Sequence, residues 1–193
     1  MKKITLVIFA FIFLSVFNLS AKVIAAGSTN VDDLFLINCG PLQAEKYTTI
    51  NDASRILGEI LTENYIYSDG VARSSEATIL FENGIITLNY NDKPTINKDD
   101  SGKIYKIICT KPNVSTIRGI SIGSSENLIV SKYGTPGTII KNTKAEYNGI
   151  VSYWYAYHNK YNPIWALFFG INSKGQTSAI GFTGSAKGIY SIS

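Results

Sequence analysis

The chain has 193 residues, 45 % of them hydrophobic and 17 % charged, with a formal charge of +4. Lys2, Lys3 and Lys22 supply three of those charges, so the residues that follow position 26 carry only +1. Such a small excess excludes a surface built to neutralise phosphates, and neither nucleic acid nor anionic lipid is expected as a partner.

Residues 1–26 read as a signal peptide. Lys2 and Lys3 form a positive start, and residues 4–17 are apolar apart from Thr5 and Ser15. That run is short of the ~20 residues a membrane span needs. Val23, Ile24, Ala25 and Ala26 supply the small residues that a signal peptidase accepts. No cysteine stands at the cleavage region, which argues against a lipoprotein anchor. The expected location is therefore secreted or periplasmic, with no membrane insertion after cleavage.

Residues 27–47 form an N-terminal segment. Its apolar run VDDLFLIN reads equally well as strand or helix. It also holds Cys39, one of two cysteines. In an exported chain an even cysteine count suggests a disulfide, here Cys39 to Cys109. Closing that loop contributes ~4 kcal/mol in the chain-entropy model. The alternative is two buried thiols.

Residues 48–115 read as a helix followed by three strands. Thr49 and Asp52 have capping-box spacing. Ala53, Ile56, Leu57, Ile60 and Leu61 then recur at helical period and predict one apolar stripe. Strands are expected at 77–82, 85–90 and 103–110, with Asn83-Gly84 as a hairpin turn. Residues 116–184 follow the same plan. Ser124 or Ser125 caps a helix that carries Glu126 in its first turn and Leu128, Ile129 and Tyr133 inward. Gly134 and Pro136 stop it. Strands are expected at 149–158, 164–172 and 176–183. Residues 185–193 are a Gly- and Ser-containing tail, expected to be loose. The fold class expected is α+β: two helix-then-antiparallel-sheet repeats, with the helices packed on one face of the sheet.

The stretch IGSSENLIVSKYGTP, an aromatic strand, and then FFGINSKGQTSAIGF resembles a group of small bacterial envelope modules. These are the β-lactamase-inhibitor-protein-like fold and the BamE (SmpA/OmlA) lipoprotein domains. The elements that carry the resemblance are Gly123, Ser125, Ile129, Gly134 and Pro136, with Phe169-Gly170 on a later strand. It covers residues 117–182 closely and 48–110 in layout only. The resemblance implies binding, because the tandem inhibitor proteins grip a partner with an aromatic sheet face.

A matching face is legible here. Tyr153, Tyr155 and Tyr157 alternate on one side of a strand, with Trp154, Ala156 and His158 on the other. Tyr161 follows closely. Ala156 is small enough to lie beneath a helix, so the tyrosines are expected to face solvent and bind a protein partner. The plainer alternative is that tyrosine is simply a good strand former. Trp165, Leu167, Phe169, Ile180 and Phe182 are expected in the core.

Chemistry is sparse. His158 is the only histidine, and one histidine makes no metal site. Asn97, Asp99 and Ser101-Gly102 imitate the start of a calcium loop, but Ile108 stands where a bidentate Glu is needed. No nucleophile elbow or phosphate loop appears. The expectation is a non-enzymatic protein-binding module, inhibitor-like, with no metal and no cofactor. A structural or assembly accessory of the bacterial envelope is the alternative, and a hydrolase ranks last.

Overall fold

The computed structural model describes residues 27–29, 31–67, 74–91, 95–147, 149–161 and 165–184. The signal peptide and the C-terminal tail expected from sequence lie outside the described residues. Thr49 starts helix α1, Ile50–Leu57, by accepting a hydrogen bond from Asp52 N at 2.9 Å. Gly58, at φ 91°, ends it. That left-handed stop cuts the predicted stripe short, so Ile60 enters a strand instead. Helix α2, Glu126–Tyr133, is capped by Ser125 and ended by Gly134 at φ 81°. The cap and stop read from sequence are both present.

The strands are β1 (Leu36–Ile37), β2 (Tyr47–Thr48), β3 (Ile60–Ile66), β4 (Ser74–Phe81), β5 (Gly84–Asn91), β6 (Gly102–Cys109), β7 (Ser115–Thr116), β8 (Thr138–Lys141), β9 (Tyr153–His158), β10 (Ala166–Ile171) and β11 (Thr177–Thr183). β1 and β7 form a small ladder of their own. The others make one nine-stranded sheet in the order β3-β4-β5-β6-β11-β10-β9-β8, with β2 also against β6. Every pairing in it is antiparallel. β11 and β2 share one edge of β6: β11 pairs with Lys106 to Cys109, and β2 with Gly102 and Lys103.

This corrects the expected fold class. The α+β arrangement of two helix-then-sheet repeats gives way to a sheet-dominated fold in which one antiparallel sheet runs through the molecule. Each described α-helix has only eight residues. β3 and β8, the two strands at the ends of the sheet order, were not among the expected strands.

Both helices lie on the same face. The larger core joins Ile50, Ala53 and Leu57 of α1 and Ile129 and Tyr133 of α2 to Ile79, Ile86, Ile107, Leu167, Phe169 and Phe182 of the sheet. Burying side chains of that size contributes about 1.5–3 kcal/mol each. Leu128, expected inward, is 39 % exposed. On the opposite face Ile85, Ile108, Trp154, Ala156, Phe168 and Ala179 form a second cluster, and Tyr147 and Val151 pack on it. The sheet thus has two apolar faces, which a period-two pattern with one wet side does not anticipate.

Candidate functional site

The tyrosine face is where the sequence reading and the structure part. Tyr157 is fully buried and Tyr155 is 8 % exposed. Both belong to the core under the helices, and Tyr153 packs against it. Trp154 and Ala156 line the opposite cluster. The expectation that the tyrosines face solvent is therefore inverted, for a polar reason. The Tyr153 and Tyr155 hydroxyls both donate to the carboxylate of Glu126 in the first turn of α2, Tyr155 at 2.9 Å. The Tyr157 hydroxyl donates to the Gly134 carbonyl at the other end of that helix, also at 2.9 Å. Three residues of one strand thus hold both ends of one helix. Burial first, and then the Glu126 hydrogen bond, push the Tyr155 phenol up from its ordinary value. The sequence signal for this was an acidic acceptor, Glu126, in the first turn of the helix that precedes the tyrosine strand.

Tyr161 is different. It is 74 % exposed and lies beside a cleft of about 540 Å³. Leu34, Phe35, Gln43 and Ala44 of the N-terminal segment form one wall, and Asn159, Tyr161 and Trp165 form another, with Asp32, Glu45 and Lys46 completing the lining. The volume is in the range of ligand pockets. Phe35 is 51 % exposed, whereas Trp165 is 8 % exposed and backs the cleft from the core.

Side-chain hydrogen bonds shape both walls. Gln43 acts as a strand substitute: its amide accepts from Leu36 N at 2.8 Å and donates to Leu36 O at 2.8 Å and Gly40 O at 3.0 Å. This pins a loop whose two ends supply Leu34 and Phe35 on one side and Ala44 on the other. Asn159 Oδ1 accepts from Tyr161 N at 2.9 Å and so sets the course of the chain at the second wall. Glu45, on the rim, has φ 66°, a left-handed conformation uncommon outside glycine. Its carboxylate pairs with Lys103 at 2.9 Å.

No known protein family matches the chain, and no curated protein is similar to it. Among solved structures, the crystal structure of a cysteine-rich secretory protein from Staphylococcus aureus is similar at 10 % identity and a TM-score of 0.40. The match covers 76 % of this chain and 44 % of that one, so this chain spans less than half of that protein's length. So loose a likeness carries nothing about the cleft.

The remaining site expectations fall as follows. Cys39 and Cys109 are both fully buried, as thiols, with their sulfurs 3.2 Å apart. Asp99 and Asp100, in the calcium-like loop, accept hydrogen bonds from Asn51 Nδ2 and Asn97 N. Among the described residues no group of three or more His, Cys, Asp or Glu could hold a metal ion. Nor is any helix among them long and apolar enough to cross a membrane. Sequence reasoning missed Phe35 and the Gln43 loop. The available signal was the run VDDLFLIN, in which exposed Phe35 lies between buried Leu34 and Leu36.

Proposed function

We propose that this chain is an exported, non-enzymatic protein-binding module, and that an apolar segment of a partner protein enters the cleft between Phe35 and Tyr161. The observation that carries the reading is the pair of exposed aromatic rings, 51 % and 74 % accessible, flanking an apolar cleft backed by Trp165. Aromatic side chains at such positions are the usual anchors of interfaces. The partner surface expected at Tyr153, Tyr155 and Tyr157 moves to this cleft, and Tyr161 alone of the four is kept. Export is supported by the leader-like residues 1–26.

The test uses the purified protein as bait against culture supernatant and against solubilised envelope, with a Phe35→Ala/Tyr161→Ala double variant run in parallel. A partner captured by the parent and lost by the variant, at unchanged melting temperature, supports the cleft. Equal capture by both would refute it. Recovery only with membrane complexes would favour the envelope-accessory alternative.

A further inference from the structure

Residues 27–29 are bonded closely to the end of β9 and to the turn after α2. Thr29 N donates to His158 O at 3.0 Å, and Lys160 N donates to Thr29 O at 2.9 Å. The Thr29 hydroxyl donates to Tyr157 O, and the residue is fully buried. Two residues earlier, Gly27 N donates to Thr135 O at 2.7 Å. A Cβ at position 27 would stand 1.9 Å from Tyr133 O and 2.7 Å from Tyr157 Cε1. Only glycine fits there, with its main chain pressed against the last carbonyl of α2.

That end of α2 is rich in oriented carbonyls. Lys132 O accepts from Arg118 Nη1 at 3.0 Å, and Gly134 O accepts from the Tyr157 hydroxyl. The aligned peptide dipoles leave a partial negative charge at a helix C-terminus, and a cation is favoured there. Arg118 already brings one cation to this end through Lys132 O, its charge shared with the Asp33 carboxylate, whose two oxygens accept from its Nε and Nη2 at 2.6 Å. The residues before Gly27 are Ala25 and Ala26, small side chains of the kind that precede a signal-peptidase cut.

We infer that the chain is processed between Ala26 and Gly27, and that the new Gly27 α-ammonium is seated on the Thr135 carbonyl, just past the C-terminal end of α2. The reaction is a hydrolysis. Water adds across the Ala26–Gly27 peptide bond, leaving a carboxylate on Ala26 and a protonated amine on Gly27. The amine keeps the hydrogen bond to Thr135 O and gains the charge that the helix end favours. Cleavage one residue earlier would leave Ala26 leading and put the charge beyond the cradle. This inference rests on the export reading.

Two measurements test it. The full chain is produced in an exporting bacterium, and the protein outside the cytoplasm is taken for N-terminal sequencing and intact mass. A start at Gly27 is expected. Export with any other start overturns the inference and leaves the export reading standing, whereas a chain retained in the cytoplasm with residues 1–26 attached overturns both. In the second measurement, protein beginning at Gly27 is compared with its N-acetylated form, which keeps the N–H and loses the charge. Acetylation should lower the melting temperature by about 2–4 °C. The free amine should react with an acylating reagent about fivefold more slowly in the native than in the denatured protein. Equal melting temperatures with equal reactivity overturn the seat. Gly27→Ala should keep the cut but lower the melting temperature, since its methyl has no room.

Discussion

Tyr155 and Tyr161 carry the same side chain and do opposite work. Replacing Tyr155 with alanine empties a site that is 8 % exposed and frees one oxygen of Glu126. The expected cost is about 3–5 kcal/mol of stability, read by denaturant unfolding, with no specific loss of partner affinity. Tyr155→Phe keeps the ring and should cost about 1 kcal/mol for the hydroxyl alone. Glu126→Gln tests the acceptor from the other side. It removes the charge that two phenols and the helix start both favour, at a cost of about 1 kcal/mol. Tyr161→Ala, at 74 % exposure, should leave stability within about 0.5 kcal/mol. The same change should weaken partner binding by about 1–3 kcal/mol, measured by titration calorimetry.

Among the elements, the loop from β1 to α1 has the most to gain from a covalent tie. Cys39 sits in the stretch that Gln43 pins, and Cys109 ends β6 in the middle of the sheet. The hydrogen bond between them lowers the Cys39 thiol and, together with burial, pushes the Cys109 thiol well up. Cys39 is therefore the sulfur that gives up its proton first. Exchange with a disulfide donor would take two protons and two electrons from the pair and close a loop with a sequence separation of 70. The oxidised protein should be two hydrogens lighter by mass and more stable by about 4 kcal/mol. Two free thiols in the exported protein would refute the bond.

The elements also mark what the sequence could and could not say. Both helix starts and the stop of α2 were legible because caps are local: Thr49 with Asp52, Ser125, and Gly134 with Pro136. Gly58 was overrun because Ile60 and Leu61 continue the helical spacing by coincidence while belonging to an edge strand. β4, β5, β6, β10 and β11 were legible from apolar runs and turn residues. β8 is four residues with little burial, and that gives no periodicity to read. The direction of Tyr153, Tyr155 and Tyr157 was misread because alternation fixes which residues share a face, and never which face is covered. Small Ala156 was assigned to a helix, when its place is beside Phe168 in the cluster on the opposite face. The cleft was out of reach because its walls lie more than a hundred residues apart in the chain.

On the scale of the whole molecule, stability should fall in strong alkali. Burial pushes the Tyr90 and Tyr133 phenols up to about 12 from an ordinary 10.0. A phenol raised in the native state contributes stability that is intact below pH 10. It is lost as pH rises from 10 towards 12, where the unfolded chain ionises and the folded one does not. Unfolding free energy measured from pH 8 to 12 should stay level and then drop. Tyr90→Phe should flatten part of that drop. The join between the two ends of the sheet is equally specific. Gly181 of β11 faces Ile108 of β6, and a Cβ there would meet Ile107 O at 2.0 Å. Gly181→Ala should therefore destabilise the whole sheet cooperatively rather than loosen one end.

β11 has a further consequence, one of timing. It fills the slot between β6 and β10, so in the hydrogen-bonded order of the sheet β3 to β6 and β8 to β10 are joined through it. A chain synthesised from its N-terminus cannot close the sheet until Thr183 has left the ribosome. Until then the edge of β6 at Lys106 to Cys109 is open and each partial sheet lacks the neighbour that completes it. Non-local pairing of this kind is slow even once it is permitted. A polypeptide that must thread through a narrow channel before folding gains from that delay, because its native state cannot form while synthesis is incomplete.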